Sequence, residues 1–272
     1  MTRVSNSGVS IDESQRIRDL FYEQVRRGTT SDGLSVVATS PHFIRWTATG
    51  DVGWSEIAWT DLNETDADQV INEQIDHFAT IGQDFVWRVY EDDLPTDLST
   101  RLASAGFKHI GTSELMIARV ADTATDVDLP DGVTLVRANE PSGIRQLIEV
   151  HEEVFDADQT QLGRTLLAQF TIAPLLNELV VAIARGTPVS SARVQFVPDC
   201  DFAGLWGGST LLQWRGKGLF KAMVAYRARI AAERGYTYLY VIASSQSRPI
   251  LEHLAFESFG SIATFGWQPA AS

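Results

Sequence analysis

The sequence predicts a mixed α/β fold, in which strands and helices alternate along 272 residues. Residues 202–256 give a strand, a glycine-containing turn, a long helix, a second strand and a short helix. Residues 35–120 repeat that order of elements. A polar, acidic stretch at 121–132 contains one proline and one glycine and is typical of a linker. These three observations predict two domains, at 1–120 and 133–272.

Hydrophobic spacing and turn residues assign the individual elements. The first helix opens at a capping box, Ser10–Glu13, and ends at Gly28. In the first half the predicted strands are 35–39, 43–47, 54–60, 84–90 and 114–120, with helices at 64–80 and 94–105. In the second half the predicted strands are 133–137, 179–184, 189–197, 202–212 and 236–242, with one helix along 144–155 and another within 156–177.

Composition limits the function classes. The net charge of −13 argues against nucleic-acid binding. It suits a cationic ligand such as an amine, although an acidic surface can also serve only to keep a protein soluble. No run of about 20 apolar residues predicts a membrane span, and the N-terminus has no apolar core of a signal peptide. Cys200 is the only cysteine, so no disulfide framework is predicted. We expect a cytoplasmic protein with no membrane partner.

The turn before the long helix has the chemistry of an anion site. Gly216 and Gly218 leave the backbone open to close approach, and the helix that follows presents N–H groups without intrahelical partners. Arg215, Lys217 and Lys221 add positive charge to that helix end. The turn lacks the Gly-Lys-Ser/Thr of a P-loop and the third glycine of a Rossmann fingerprint. The pattern therefore predicts a phosphate or diphosphate site of another kind.

Residues 215–220, Arg-Gly-Lys-Gly-Leu-Phe, resemble the Arg/Gln-x-x-Gly-x-Gly/Ala motif of the GNAT superfamily, the acyl-coenzyme-A-dependent N-acyltransferases. The corner 254–256, Leu-Ala-Phe, resembles that family's Leu-Gly-Phe, and the resemblance is strongest over 133–267. It implies two tandem GNAT-like domains, each a mixed, mostly antiparallel twisted sheet flanked by helices. This chain departs from the family at Phe220 and at Leu251, where a tyrosine often serves as general acid.

The resemblance implies acetyl-CoA as co-substrate. Gly207 and Gly208 predict a bulge or close backbone approach in their strand. The resemblance implies that this strand diverges from the next parallel strand and that its free backbone groups hold the pantetheine arm. A simple packing bulge is the alternative. The implied cofactor-binding residues are Ser209, Thr210, Leu212, Arg215, Gly216, Lys217, Gly218, Leu219, Phe220, Lys221 and Ser244.

The implied reaction is transfer of an acetyl group to a primary amine, on a small molecule or a peptide, by direct attack in a ternary complex. The alternative is a non-catalytic acyl-CoA-binding or regulatory module, which the missing tyrosine motivates. The sequence is compatible with an acetyl donor and with a longer acyl donor. It is also compatible with a monomer and with a homodimer.

The catalytic acid and base stay open in the sequence. The candidate bases are Glu152, Glu153, Asp156, Asp199 and Asp201. His253 and one of Tyr236, Tyr238 and Tyr240, which alternate along a predicted strand, are further candidates. Cys200 has no basic neighbour in sequence to lower its pKa, which disfavours an acyl-enzyme. The five histidines have no metal-ligand spacing, so no metal is predicted.

The first half has the order of elements without the anion site. Phe107 and Phe256 end corresponding helices, 149 positions apart, which aligns Gly218 with Gln69 and Arg215 with Asp66. Acidic residues there would repel coenzyme phosphates. We interpret residues 1–120 as a degenerate repeat that packs or shapes the acceptor cleft, with an unrelated α+β domain as the alternative.

Overall fold

The computed structural model describes residues 11–126 and 128–269, so Ser10 of the predicted capping box lies outside it. The strands are β1 (Ser35–Thr39), β2 (Phe43–Ala48), β3 (Glu56–Thr60), β4 (Phe85–Tyr90), β5 (Lys108–Arg119), β6 (Val133–Arg137), β7 (Asn177–Ala184), β8 (Thr187–Phe196), β9 (Phe202–Thr210), β10 (Tyr238–Ala243) and β11 (Glu257–Trp267). The helices are α1 (Ile11–Phe21), α2 (Ala67–Ile81), α3 (Leu98–Ser104), α4 (Pro141–Phe155), α5 (Thr160–Ile172), α6 (Leu219–Glu233) and α7 (Arg248–Glu252).

All eleven described strands form one sheet. Their order is β1-β2-β3-β4-β11-β5-β10-β9-β8-β7-β6. The pairs β3–β4 and β9–β10 are parallel, and the other neighbouring pairs are antiparallel. A mixed, mostly antiparallel sheet flanked by helices confirms the predicted fold class.

The two halves contain the same unit. β3–α2–β4–α3–β5 in the first half matches β9–α6–β10–α7–β11 in the second, and α2 and α6 are both 15 residues long. The residues that precede these two helices, Asp66 and Gly218, are 152 positions apart. The offset of 149 taken from Phe107 and Phe256 was therefore wrong at the helix starts. The loop after β4 is longer than the loop after β10, so one constant offset cannot align both regions.

The halves exchange their last strands. β11, from the end of the chain, lies between β4 and β5, and β5 pairs with β10 along 114–119 and 238–243. The division at 121–132 thus separates two stretches of sequence, whereas the sheet runs through both. Sequence reasoning did not anticipate β11. It also began β5 at 114, because the exposed segment 108–113 contains few apolar residues.

The two faces of the second-half sheet are covered differently. On one face, Ala203 and Leu205 of β9 share a core with Val224 and Ala228 of α6. On the other face, the ring of Phe21 packs edge-on against Phe202 and Tyr240, with centroids 5.5 and 5.1 Å apart. Side chains alternate across a strand, so residues 202, 204 and 206 face away from α6. That side of the sheet faces the first half.

Among the described residues, no helix is both long and apolar enough to cross a membrane.

Candidate functional site

The parallel strands β9 and β10 diverge. They pair only at Phe202–Gly204 and Tyr238–Tyr240, as Cα partners. Beyond that point β9 continues along β8, and β10 continues along β5. The gap between residues 205–210 and 241–243 is called the wedge below. Its facing edges have lost their partner strand, so their backbone polar groups face a gap instead of a ladder. The strand divergence that the GNAT resemblance implied is present.

A bulge shapes the β9 edge of the wedge. Ser191 pairs with Ser209 and Arg193 pairs with Trp206, so Gly207 and Gly208 together oppose one residue of β8. Gly207 has a φ of 59°, which glycine adopts without strain. The bulge predicted from the glycine pair is confirmed.

His151 of α4 holds this bulge in place. Its imidazole Nε2 lies 3.0 Å from the carbonyl oxygen of Gly207, and a Cβ at Gly207 would lie 3.1 Å from the ring. Burial lowers the pKa of His151, and the nearby Arg193 lowers it further, although the Gly207 contact opposes them. The ring is therefore neutral near pH 7, with Nε2–H donating to the carbonyl.

The glycine loop, residues 215–221, lies at the open end of the wedge. Gly216 and Gly218 have φ values of 72° and 82°, in the left-handed region that other residues rarely adopt. Gly218 precedes α6 without a side-chain cap, and the first N–H with a backbone acceptor is that of Ala222. Within residues 11–126 and 128–269, the backbone N–H groups of 216–221 donate to no protein group. These bare donors fit the requirements of a phosphate.

Basic side chains surround the glycine loop. The Nε of Arg215 donates to the carbonyl of Thr210 at 3.1 Å, which ties the loop to the end of β9. The Nζ of Lys217 lies 4.6 Å from the centre of the Trp214 ring. Arg215, Lys217 and Lys221 are all exposed and form no ion pair with any described residue. Their charges are available to an anion from solvent.

The other predicted cofactor residues have mixed surroundings. Ser209 is buried with an unpaired hydroxyl, whereas the hydroxyl of Thr210 lies 2.9 Å from that of Ser190. Leu212 is 76% exposed, and the side chain of Leu219 is buried in the core, so Leu219 offers only its N–H. The hydroxyl of Ser244 lies 3.2 Å from that of Ser247.

Phe220, the bulky departure from the motif, does not fill the glycine loop. Its ring packs against the core beneath α6, and a Cβ at Gly208 would lie 3.5 Å from it. Leu251, at the family's tyrosine position, is buried in the same core.

A cavity of about 290 Å³ lies on the sheet face opposite α6, between the two halves; it is called the central cavity below. It reaches the closed end of the wedge at Gly204, Trp206, Tyr240 and Ile242. From the second half it is also lined by Gln169, Leu176, Arg193, Gln195, Val197, Cys200 and Phe202. From the first half it is lined by Phe21, Gln24, Val25, Arg26, Gly28, Thr30, Asp32, Ser35, Trp46, Trp54, Glu56, Ala58, Arg88 and Tyr90. The first half therefore supplies much of the cavity wall.

Two polar groups converge at the closed end of the wedge. A Cβ at Gly204 would lie 2.7 Å from Trp206 Nε1 and 2.8 Å from the Tyr240 hydroxyl, so only glycine fits between them. Trp206 Nε1 is buried and has no acceptor among the described residues. Burial raises the pKa of Tyr240, which keeps the phenol protonated. Cys200 is likewise a protonated thiol, because burial raises its pKa.

The carboxylates proposed as bases from sequence do not line the central cavity. Glu152 accepts from the backbone N–H of Gln159, and Asp201 accepts from the side chain of Gln24 at 2.8 Å. Glu153, Asp156 and Asp199 are exposed. The carboxylates that do line the cavity are Asp32 and Glu56, both from the first half.

The remaining candidates also lie elsewhere or have other partners. His253 is exposed, and its Nδ1 lies 2.6 Å from the carbonyl of Pro249. Tyr236 precedes β10, so the predicted strand face shared by three tyrosines was wrong for this one; its hydroxyl donates to the Val197 carbonyl at 2.9 Å. Tyr238 stacks on Phe202 with ring centroids 4.9 Å apart. Tyr240 alone of these reaches the cavity.

Sequence reasoning missed the cavity's arginines and Trp206. A signal existed in β8, where polar Ser191, Arg193 and Gln195 alternate with Ala192 and Val194. That alternation marks a polar face on a central strand. The partners from the first half carry no such signal, because only the fold brings them to the second half.

A pair of diverging parallel strands with a bare, basic helix start at its open end is the arrangement that the GNAT resemblance implied. No protein-family model matches the sequence, and no curated protein matches it. Solved structures do match. The chain has the fold of the GCN5-related N-acetyltransferases, the GNAT superfamily.

Three matching structures represent this similarity. A GCN5-related N-acetyltransferase from Kribbella flavida matches with a TM-score of 0.69 at 18% identity, over 97% of this chain and 98% of its own. A GCN5-related N-acetyltransferase from Sphaerobacter thermophilus matches with a TM-score of 0.56 at 13% identity, over 94% and 85%. A tandem GNAT protein from the clavulanic acid biosynthesis pathway matches with a TM-score of 0.57 at 12% identity, over 85% and 79%.

Proposed function

We propose that this protein is an N-acetyltransferase that moves an acetyl group from acetyl-CoA to a primary amine. The supporting observation is the continuity of the wedge. It begins at the bare N–H groups of the glycine loop and ends at the central cavity. Along β9, the five steps from residue 210 back to 205 span about 17 Å at the usual rise of a strand. A long co-substrate can therefore be held at one end and react at the other.

The glycine loop would hold the diphosphate of the coenzyme. The N–H groups of residues 216–221 donate, the positive end of the α6 dipole favours the anion, and Arg215, Lys217 and Lys221 add charge. Ser209 and the Gly207–Gly208 bulge lie along the wedge, where unpaired backbone and hydroxyl groups would bind the pantetheine arm. Bound acetyl-CoA would supply an activated acetyl thioester at the central cavity.

The amine would approach from the central cavity. A C–N bond forms as the C–S bond breaks, and the attacking nitrogen loses a proton. Asp32, the cavity carboxylate without a described ion-pair partner, would accept that proton through water. The protonated Tyr240 hydroxyl at the closed end of the wedge would donate to the sulfur that leaves. Tyr240 would thus supply the acid that the family often takes from a tyrosine at the position of Leu251.

Thiol release in the presence of acetyl-CoA and a panel of primary amines tests the proposal. Turnover of at least one amine supports it, and coenzyme binding by calorimetry without any turnover contradicts it. Tyr240→Phe removes only the hydroxyl. We expect it to lower kcat by at least about 10-fold while the dissociation constant for acetyl-CoA stays unchanged. An unchanged kcat would remove Tyr240 from the mechanism.

The second candidate function is a non-catalytic acyl-CoA-binding module. The burial of Leu251 in the core favours it, because the chain lacks the family's usual acid at that position. Both candidates place the coenzyme at the glycine loop, so coenzyme binding does not separate them. Turnover by the unaltered protein does.

A further inference from the structure

Three arginines line the central cavity, and two of them are neutralised within the protein. Arg26 forms a two-pronged pair with Asp93, with both N–O distances 2.9 Å, and this pair is buried. Arg88 forms an ion pair with Glu56. Arg193 differs, since no carboxylate of the described residues lies within 4.0 Å of its guanidinium. Among the described residues that line the cavity, Arg193 is therefore the one arginine without an ion-pair partner.

Asp32 does not neutralise Arg193. It lines the same cavity, but its carboxylate oxygens accept from the side chain of Gln169 at 2.6 Å and from the N–H of Leu34 at 2.9 Å. Arg193 and Asp32 thus present opposite charges to one space without forming an ion pair.

A second donor without a partner lies beside Arg193. Arg193 on β8 and Trp206 on β9 are direct cross-strand partners, and both line the central cavity. The Trp206 indole N–H is buried, and no residue that the structure describes accepts from it. Leaving such a donor unsatisfied is unfavourable, so its position at a cavity wall points to an acceptor that arrives with a ligand.

Burial also makes the lone charge costly. Desolvation lowers the pKa of Arg193 to about 10, although Tyr240 and Asp32 partly compensate. Arg193 is partly buried, and an unpaired charge held away from bulk water destabilises a fold unless something compensates for it. A ligand anion would supply that compensation whenever it is bound.

The diphosphate of the coenzyme is not this anion. The glycine loop follows the far end of β9, and Arg193 pairs with Trp206 near the closed end of the wedge. Arg193 also faces the central cavity, on the sheet side opposite α6. The anion must therefore belong to the other substrate.

We propose that the acceptor amine carries a carboxylate, which is held by the guanidinium of Arg193 and the indole N–H of Trp206. This inference rests on the proposed acetyltransferase function, which makes the second substrate an acetyl acceptor. Guanidinium and carboxylate form charge-assisted, often two-pronged hydrogen bonds. Asp32, on the same cavity, suits the ammonium group of such a molecule. A cavity of about 290 Å³ fits a compound of amino-acid size.

Calorimetry on the full chain, with CoA present, tests the inference by binding instead of turnover. The probes are matched pairs that differ by one carboxylate: L-phenylalanine against phenethylamine, L-leucine against isopentylamine, and 6-aminohexanoate against pentylamine. We expect at least one carboxylate-bearing probe to bind about 10- to 100-fold more tightly than its partner. Equal binding within every pair, or no binding by any carboxylate-bearing probe, overturns the inference.

Variants assign the effect to the side chain. Arg193→Met should reduce the ratio within a pair to about one, and Arg193→Lys should retain part of it. Arg145→Met, an exposed arginine on α4, is the matched control and should keep the full ratio. A ratio that survives in Arg193→Met overturns the inference. All three variants should bind acetyl-CoA normally, and a melting scan checks that each is folded.

The two proposals fail separately. If carboxylate-bearing probes bind through Arg193 but no amine is acetylated, the anion site stands and the acetyltransferase function falls. If amines are acetylated without regard to a carboxylate, the function stands and the anion site falls.

Discussion

The starts of α2 and α6 occupy equivalent places in the two halves and have opposite chemistry. At the start of α2, Asn63 Oδ1 accepts from the N–H groups of Thr65 and Asp66, at 2.8 and 3.3 Å. Asp66 Oδ1 accepts in turn from the N–H of Asn63 at 2.8 Å. At the start of α6, glycines stand in the turn; among the described residues, no side chain caps the first turn of either helix.

The difference teaches that the two equivalent helix starts differ in which loop N–H groups stay bare and in the charge of the side chains around them. In the first half the side chain and the carbonyl of Asn63 occupy the N–H groups of Thr65, Asp66 and Ala67, and Asp66 adds negative charge. In the second half Gly216 and Gly218 leave the donors bare, with lysines and an arginine nearby. A few residues thus separate a packing element from a candidate coenzyme site.

The largest expected effect comes from separating the halves. Fragments 1–126 and 127–272 should each fail to fold alone, because β11 lies between β4 and β5 and each half would lose its neighbouring strand. Mixed or co-expressed, they should assemble one sheet. Circular dichroism and size-exclusion chromatography measure this. A cooperatively unfolding single fragment would contradict the exchange of strands.

The next largest effect converts the open helix start into the closed one. Gly218→Asp places a Cβ at φ 82° and a carboxylate next to the bare N–H groups. We expect acetyl-CoA to bind at least about 100-fold more weakly, since left-handed backbone costs about 1–2 kcal/mol before any charge repulsion. Calorimetry measures the change.

The matched control for that variant is Asp66→Gly in the first half. It removes the carboxylate from the equivalent helix start in the first half, and coenzyme affinity should not change. If Asp66→Gly also bound the coenzyme more weakly, the loss of affinity in Gly218→Asp would be attributed to impaired folding.

A smaller effect comes from removing charge while the backbone stays unchanged. Arg215→Gln with Lys217→Gln should weaken acetyl-CoA binding by about 10-fold and flatten its dependence on ionic strength, because exposed charges act through solvent. The control pair is Lys108→Gln with Arg185→Gln, both exposed and away from the loop. An equal loss of acetyl-CoA affinity in the two double variants would mean that the glycine loop contributes only to the overall charge of the protein.

The smallest expected effect concerns the Gly207–Gly208 bulge of the second half. Burial lowers the pKa of His151, so the unfolded chain binds its proton more readily than the folded chain does. Stability from this residue is complete above about pH 6.5, the unfolded pKa, and is lost as the pH falls.

His151→Gln keeps a neutral donor for the Gly207 carbonyl and should lose less stability than wild type between pH 7 and 5. Melting temperatures across that range measure the difference, with Arg145→Met as the control that keeps the wild-type slope. Parallel slopes for all three proteins would contradict the assigned protonation of His151.

The sequence was sufficient for the features that depend on local pattern. The fold class, the order of elements and the Gly207–Gly208 bulge follow from short periodicities and glycine pairs, and the structure confirms them. The wedge was implied by the resemblance carried by residues 215–220. Each of these features is encoded within a few neighbouring residues or in one spacing.

The cavity chemistry could not be predicted in the same way. Arg193, Trp206 and Asp32 come together only because the two halves share one sheet, and no spacing in the chain links them. The candidate bases do not line the cavity for the same reason: Glu153 and Asp156 end the α4 region as exposed residues. Charge on a helix end is readable in sequence, whereas its direction relative to a distant cleft is not.

Strand β5 of the first half restrains strand β10 of the second half. It runs along the outer edge of β10, from Glu114 opposite Ala243 to Arg119 opposite Tyr238, so β10 is clamped on the side away from the wedge. The wedge can then widen only if β9 and the strands beyond it move. Substitutions in 114–119 would therefore loosen or stiffen the wedge, although these residues are remote in sequence from every candidate site residue.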